Sequence, residues 1–280
     1  MDASSIEVPR RRRWAKTDAI DAGKLLDLLV GEARGDRRYK RVHVPSEADE
    51  AARRLHRERE TLLAERGRYR NRLQGLLTTH GVRAKLNRQF GARLEKLTNW
   101  RGEALAVAWV EEFERLWTRL QLVDAQLKIL ERAQAQTLAN GTSRQAQQMR
   151  QLQQLCGLDQ QIPWVLVHEF FGWRAFQNGR EIGKLAGLTA TPFASGELRR
   201  ELGIGKDGNR RVRWIAVELA WLWVRYQPDS ELTQWFMRRF AHAGKRQRRV
   251  GIVAVARKLL VALWRYLETG VLPAGARVKA

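Results

Sequence analysis

Cysteine is almost missing from this chain. Cys156 stands alone, so an internal disulfide is excluded and the usage fits a reducing compartment. The five histidines, His43, His56, His80, His168 and His242, are scattered without ligand spacing, and no zinc site is expected. No long apolar run is free of charge. The two most apolar segments, 214–224 and 250–267, contain Glu218 and the cations Arg257, Lys258 and Arg265, so both read as core helices rather than bilayer spans. The N-terminus has no apolar signal region, and a cytoplasmic location with no membrane partner is expected. Acid is also short. Thirty Asp and Glu face 52 Lys and Arg, a formal charge of +22, which makes a polyanionic partner the default and puts nucleic acid ahead of a membrane surface.

What is present is enough for a core: 280 residues at 44% hydrophobic content. Residues 1–45 hold little that could fold alone. An extended piece, Ile6 to Pro9, leads into Arg10 to Arg13. Thr17 is a plausible N-cap for a short helix carrying Ala22, Leu25, Leu26 and Leu29 on one face, and Arg41 to Pro45 reads as extended. From the N-cap candidate Ser46, residues 46–138 predict a long helical hairpin. Its first arm repeats Leu55, Leu62, Tyr69 and Leu76, with Leu73 between. The second carries Phe113, Leu116, Leu120, Val123, Leu127 and Leu130 at alternating three- and four-residue steps, the seam of a coiled coil. A shorter helix from Arg83 to Leu97 is expected to bridge them. The Gln-rich stretch within 139–161 predicts a further helix or linker, and residues 162–280 a C-terminal helical domain. There the helix from Arg210 is expected to bury Val212, Ile215, Leu219, Leu222 and Tyr226, with Glu218 inside, and a last helix to run from Val250 to Leu267.

The chemistry concentrates in two places. From Gly187 to Glu197 the chain runs through Pro192 and Ser195-Gly196, then through Gly203, Gly205-Lys206-Asp207-Gly208-Asn209 to a helix start at Arg210. Glycine permits close approach of an anion, and backbone N–H groups ahead of a helix carry positive charge outward. Arg199, Arg200, Lys206, Arg210, Arg211 and Arg213 surround this stretch, so it can bind a phosphate, or Ser195 can attack one. A plain turn is the competing reading. The run is not a P-loop, because Asp207 follows Lys206 where a Ser or Thr should hold magnesium. A second cationic run, Lys245, Arg246, Arg248 and Arg249, precedes the last helix without an intervening acid and favours phosphate contact. Near the N-terminus, Asp18 and Asp21 lie three apart on a helix. They either share a divalent cation or simply favour the positive helix end.

The segment Lys16 to Ala22, the helical hairpin, Ala186-Gly187-Leu188-Thr189 with Pro192 and Ser195-Gly196, and Gly205 to Arg213 together resemble transposases of the insertion-sequence one-ten family. The likeness covers nearly the whole chain. It implies a mainly α fold with three parts: a C-terminal remnant of an RNase H/RuvC-like α/β domain (1–45), an antiparallel coiled-coil hairpin, and a helical transposase domain. It also implies DNA transposition or site-specific recombination in which Ser195 is the nucleophile and acidic residues, here Asp18 and Asp21, bind magnesium (Mg2+). DNA, a structured noncoding RNA guide and further copies of the chain, as a dimer or tetramer through the coiled coil, are the implied partners. The family's first two acids precede the Lys-Thr-Asp motif, and only 15 residues do so here. A truncated, misassigned or decayed start is therefore expected, with no recombination by this chain alone. A non-catalytic nucleic-acid-binding module that regulates intact transposase is the alternative, and an all-helical protein binding acidic partners ranks last.

Overall fold

Helix signals dominate the chain, and the computed structural model, which describes residues 18–35, 43–195 and 198–279, is mainly helical. The chain divides into two units, Met1–Ser46 and Glu47–Ala280. The first contributes one described helix, α1, Asp18–Ala33. Its expected apolar face is not the covered one: Leu28 is buried, whereas Leu25, Leu26 and Leu29 are exposed. The expected cap at Thr17 and the extended piece Ile6 to Pro9 lie outside the described residues, as do Arg41 and Val42.

In the second unit two long helices pair antiparallel, α2 (Glu47–Thr79) and α4 (Val107–Asn140). Acids at Glu47, Asp49 and Glu50 complement the positive end of α2. The pairing direction follows from ion pairs whose numbers run oppositely: Arg59 to Glu131 at 3.0 Å, Arg66 to Asp124 at 3.8 Å and Arg72 to Glu112 at 2.8 Å. Every expected seam residue of α4, from Phe113 to Leu130, is buried. On α2 the burial falls on Leu62, Leu73 and Leu77, while Leu55, Tyr69 and Leu76 are half-buried.

The bridge differs from the helix expected over 83–97. Only α3 (Phe90–Arg93) and a following 3-10 turn, Leu94–Lys96, are helical. Packing explains this. Phe90 and Leu94 plug the end of the pair beside Leu73, Leu77 and Phe113, and Gly91 lies so close to Trp117 that a Cβ there would sit 2.7 Å from its indole nitrogen. Local helix propensity yields to that plug.

The C-terminal part is built from α5 (Arg144–Gln153), α6 (Gln161–Leu166), a π-helical turn (Val167–Phe171), α7 (Gly179–Leu185), a hairpin of β1 (Ala190–Ser195) and β2 (Leu198–Ile204), then α8 (Arg210–Tyr226), α9 (Glu231–Phe240) and α10 (Lys245–Thr269). The Gln-rich stretch is structural: Ser143 caps α5, and Ala146, Met149 and Leu152 enter the main core with Trp164, Phe170, Trp223 and Leu259. Each such large side chain contributes roughly 1.5–3 kcal/mol. On α8 the inward positions are Val212, Ile215, Leu219 and Trp223. Glu218, expected inside, is exposed, and Tyr226 is half out of the core at 46% exposure. Trp223 takes the inward place because its Nε1–H donates to Ser230 Oγ at 2.9 Å, so the indole is buried with its polar atom satisfied. The last helix begins at Lys245, five residues before the expected Val250, so its cationic run is the first turn of α10 rather than a loop. Buried Gln227 donates to the carbonyls of Cys156 and Arg277 and accepts from the Arg277 N–H, pinning the C-terminal segment.

Candidate nucleic-acid interface

Helix α7 ends in a turn that meets the loop before α8 backbone to backbone. Gly205 N–H donates to Thr189 O at 2.9 Å, Lys206 N–H to Gly187 O at 3.4 Å, and Asn209 N–H to Leu185 O at 2.9 Å. Gly208 has no room for a side chain, because a Cβ would collide with Leu185 O and Gly187 N. Lys206 is the one non-glycine with positive φ among the described residues, at 61°. Arg213 turns back and donates to Lys206 O at 3.0 Å. The Gly-Lys-Asp-Gly-Asn run is therefore a clasp. Of the N–H groups expected to face a phosphate, those of Gly205, Lys206 and Asn209 are instead spent on protein carbonyls.

The clasp holds the foot of the β1/β2 hairpin. The strands are antiparallel, with Ser195 opposite Leu198, Ala194 opposite Arg199 and Phe193 opposite Arg200. Near the foot the register slips between Ala190/Ile204 and Pro192/Glu201, two residues of β2 standing against one of β1, and Gly203 takes φ 87° there. Ser195 is thus the last residue of β1 at the hairpin's outer end. Gly196 and Glu197 lie outside the described residues, as do the side chains of Ser195, Arg199 and Arg200.

Behind the clasp, the Asn209 side chain caps α8 by accepting from Arg211 N and Val212 N, and its amide donates to Glu169 Oε2 at 3.2 Å. Glu169 is buried in the π-helical turn. It also accepts from His56 Nε2 at 2.8 Å and from Arg57 Nε at 2.8 Å, both on α2. Burial alone would raise the Glu169 pKa, but hydrogen bonds from His56 and Arg57, the Arg57 charge and the Asn209 amide outweigh it and hold the carboxyl below its ordinary value. The neighbouring His168 is pushed down to about 4 by burial, aided by His56 and Arg53. The sequence reading passed over Glu169, His56 and Arg57. One signal was available: Glu169 is the lone acid or Lys/Arg in the apolar run 160–173, and an isolated charge in such a run needs a buried partner.

The expected nucleic-acid contacts separate into groups. Arg211 pairs with Glu60 at 2.7 Å and Arg213 with backbone carbonyls, so both have structural partners. Lys206, Arg210, Lys245, Arg246, Arg248 and Arg249 are exposed. Asp18 is exposed on α1, and the Asp21 side chain is outside the described residues.

Two comparisons bear on this geometry. The family model described as Transposase IS116/IS110/IS902 family matches residues 149–234, which take in Glu169, the clasp and the hairpin. A protein of Sinorhizobium fredii (strain NBRC 101917 / NGR234) that carries a transposase name, y4rJ, is 37% identical over 290 aligned positions, covering 100% of this chain and 73% of that protein. The chain belongs to the IS116/IS110/IS902 family of transposases. As a transposase of this family, the chain has DNA as its partner. No helix among the described residues is long and apolar enough to cross a membrane.

Proposed function

We propose that this transposase cuts and rejoins DNA through Ser195. The reading rests on Ser195 standing at the outer end of a hairpin whose foot is clasped into the family-matched stretch. Such a strand end, with Arg199 and Arg200 in the facing strand, is a mount that can meet a phosphodiester without moving the core. In the step proposed, the Ser195 Oγ–P bond forms and the P–O3′ bond breaks. The 3′ oxygen leaves with the proton that Ser195 gives up, and the 5′-phosphate stays on the enzyme as a phosphoserine that a second 3′-hydroxyl can attack.

Magnesium at Asp18 and Asp21 belongs to the same reading, but no step is routed through it. Among the described residues no three or more His, Cys, Asp or Glu come together as a metal site. A structured noncoding RNA as target guide is a further part of the proposal, supported only by a cation surplus larger than one serine site needs. Multimer formation is assigned to the outer side of α4. The inner seam is filled by α2 within one chain, whereas Leu122 and Ile129, seven residues apart, are exposed at 59% and 63%.

The test is covalent capture. The purified chain is incubated with end-labelled DNA carrying the element's termini, with and without the element's transcribed RNA and magnesium, and resolved on a denaturing gel. A labelled protein band that Ser195→Ala removes is the expected result. Absence of any such band from the unaltered protein under all these conditions overturns serine chemistry in this chain and leaves the non-catalytic nucleic-acid-binding reading.

A further inference from the structure

A groove of about 900 Å³ runs along α10 between the start of α7 and the foot of the β1/β2 hairpin. Its cations are Arg180, Arg257, Lys258 and Arg265, and no acid lines it. Among the described residues none of the four pairs with a carboxylate, although ion pairs are common elsewhere on this surface. Their spacing puts Arg257, Lys258 and Arg265 on one side of α10, over seven or eight residues, so the charges follow a line rather than a point.

One detail marks the groove as built. Arg257 lies over α7 in a space left by buried Gly183: a Cβ there would come within 2.9 Å of the Arg257 Nε. Lys258 stands at the edge of the groove, its Nζ 4.7 Å from the centroid of the Trp235 ring, which lines the neighbouring pocket. Between the cations the floor is aliphatic, formed by Leu188, Ile204, Val253, Ala254, Val261 and Ala262. Asn178 is the amide at the rim, and its oxygen is already committed to the N–H groups of Arg180 and Glu181.

We propose that this groove holds an unpaired strand of DNA next to the hairpin that carries Ser195, which rests on the serine reading above. A line of unpaired cations fits successive phosphates. The aliphatic floor fits the faces of bases and sugars that are no longer stacked in a duplex, which a duplex would not present to a concave surface. DNA is favoured over RNA because the groove abuts the foot of the hairpin whose serine, on the reading above, acts on DNA. The occupant is then the strand being cut or transferred, fed along α10 toward the hairpin.

The experiment compares the full chain with Arg257→Gln/Arg265→Gln and with Gly183→Ala, in fluorescence anisotropy titrations against short labelled single-stranded DNA, duplex DNA and single-stranded RNA at several salt concentrations. Gly183→Ala favours helix yet displaces Arg257, and matched urea midpoints confirm that each variant folds. The double variant is expected to lose roughly tenfold in single-stranded DNA affinity, with a salt slope shallower by about 1.4, while duplex affinity stays. Gly183→Ala is expected to move the same way by less. Unchanged single-strand binding, equal loss on duplex, or tighter binding of the RNA overturns the proposal. Ser195→Ala separates the two readings, since it removes the covalent product and leaves strand binding intact. If covalent product never forms yet the groove variants still lose single-strand affinity, the serine reading fails and the groove stands.

Discussion

Asn209 joins the start of α8 to Glu169. Its side-chain oxygen caps the helix while its amide reaches the buried carboxylate at 3.2 Å. Since Glu169 also receives His56 and Arg57 of α2, one acid ties the long helix pair to the loop that clasps the hairpin. Replacing it by glutamine removes the buried charge that the His56 and Arg57 donors meet, although Arg57 keeps its pair with Glu50 at 2.6 Å. Glu169→Gln is expected to cost about 3 kcal/mol in urea unfolding. A cost within error of zero would mean that Glu50 and solvent already neutralise Arg57.

The same cluster sets an acid limit on stability. His168 has a folded pKa lowered from 6.5 to about 4, so the folded state binds fewer protons than the unfolded chain between those values. Its contribution is whole above pH 6.5 and drains away as pH falls through 4, on the order of 3 kcal/mol. Glu169, also lowered, adds a further loss that begins below its ordinary value of 4.5. Unfolding free energies across this range should therefore fall in two overlapping stages. His168→Phe, whose imidazole nitrogens have no hydrogen-bond partner to lose, should flatten the upper stage alone.

Glycines of the clasp and the hairpin foot should behave differently. Gly208→Ala drives a Cβ into Leu185 O and Gly187 N, atoms of the backbone that cannot rotate aside, and is expected to cost about 2–3 kcal/mol. Gly203→Ala meets open space and is strained only by φ 87°, so about 1–2 kcal/mol is expected. Thermal melts of the two variants check the order, and a larger loss at Gly203 would contradict the clasp.

Lys245, Arg246, Arg248 and Arg249 sit in the first turns of α10, where the helix dipole disfavours positive charge. Their replacement by glutamine should therefore raise the melting temperature while weakening DNA binding. If the four meet phosphates, the log–log salt slope for duplex DNA should become shallower by up to about 3.6. A stabilised variant with an unchanged slope would place the cluster outside the interface.

Leu122 and Ile129 are exposed one heptad apart on α4. Leu122→Glu/Ile129→Glu should lower the mass seen by light scattering if this side joins copies of the chain, without disturbing the inner seam. A mass unaffected by the change would move the oligomer contact elsewhere.

The seam of α4 was legible because a three- and four-residue rhythm from Phe113 to Leu130 is a local property. Membership of the transposase family was also legible, from the motifs between Ala186 and Arg213. Other features depended on distance. The Glu169 carboxylate meets residues 112 and 113 positions away, and no local pattern names such partners. The N–H groups of Gly205, Lys206 and Asn209 read in sequence as free donors, yet the fold spends them on a turn some 16 to 24 residues earlier. The bridge after Thr79 lost most of its expected helix because Phe90 and Leu94 were needed to close the helix pair. Periodicity is set by neighbouring residues and survives in the sequence. The partner of a buried polar group, or of a backbone N–H outside regular structure, is chosen only when distant segments pack and water is excluded.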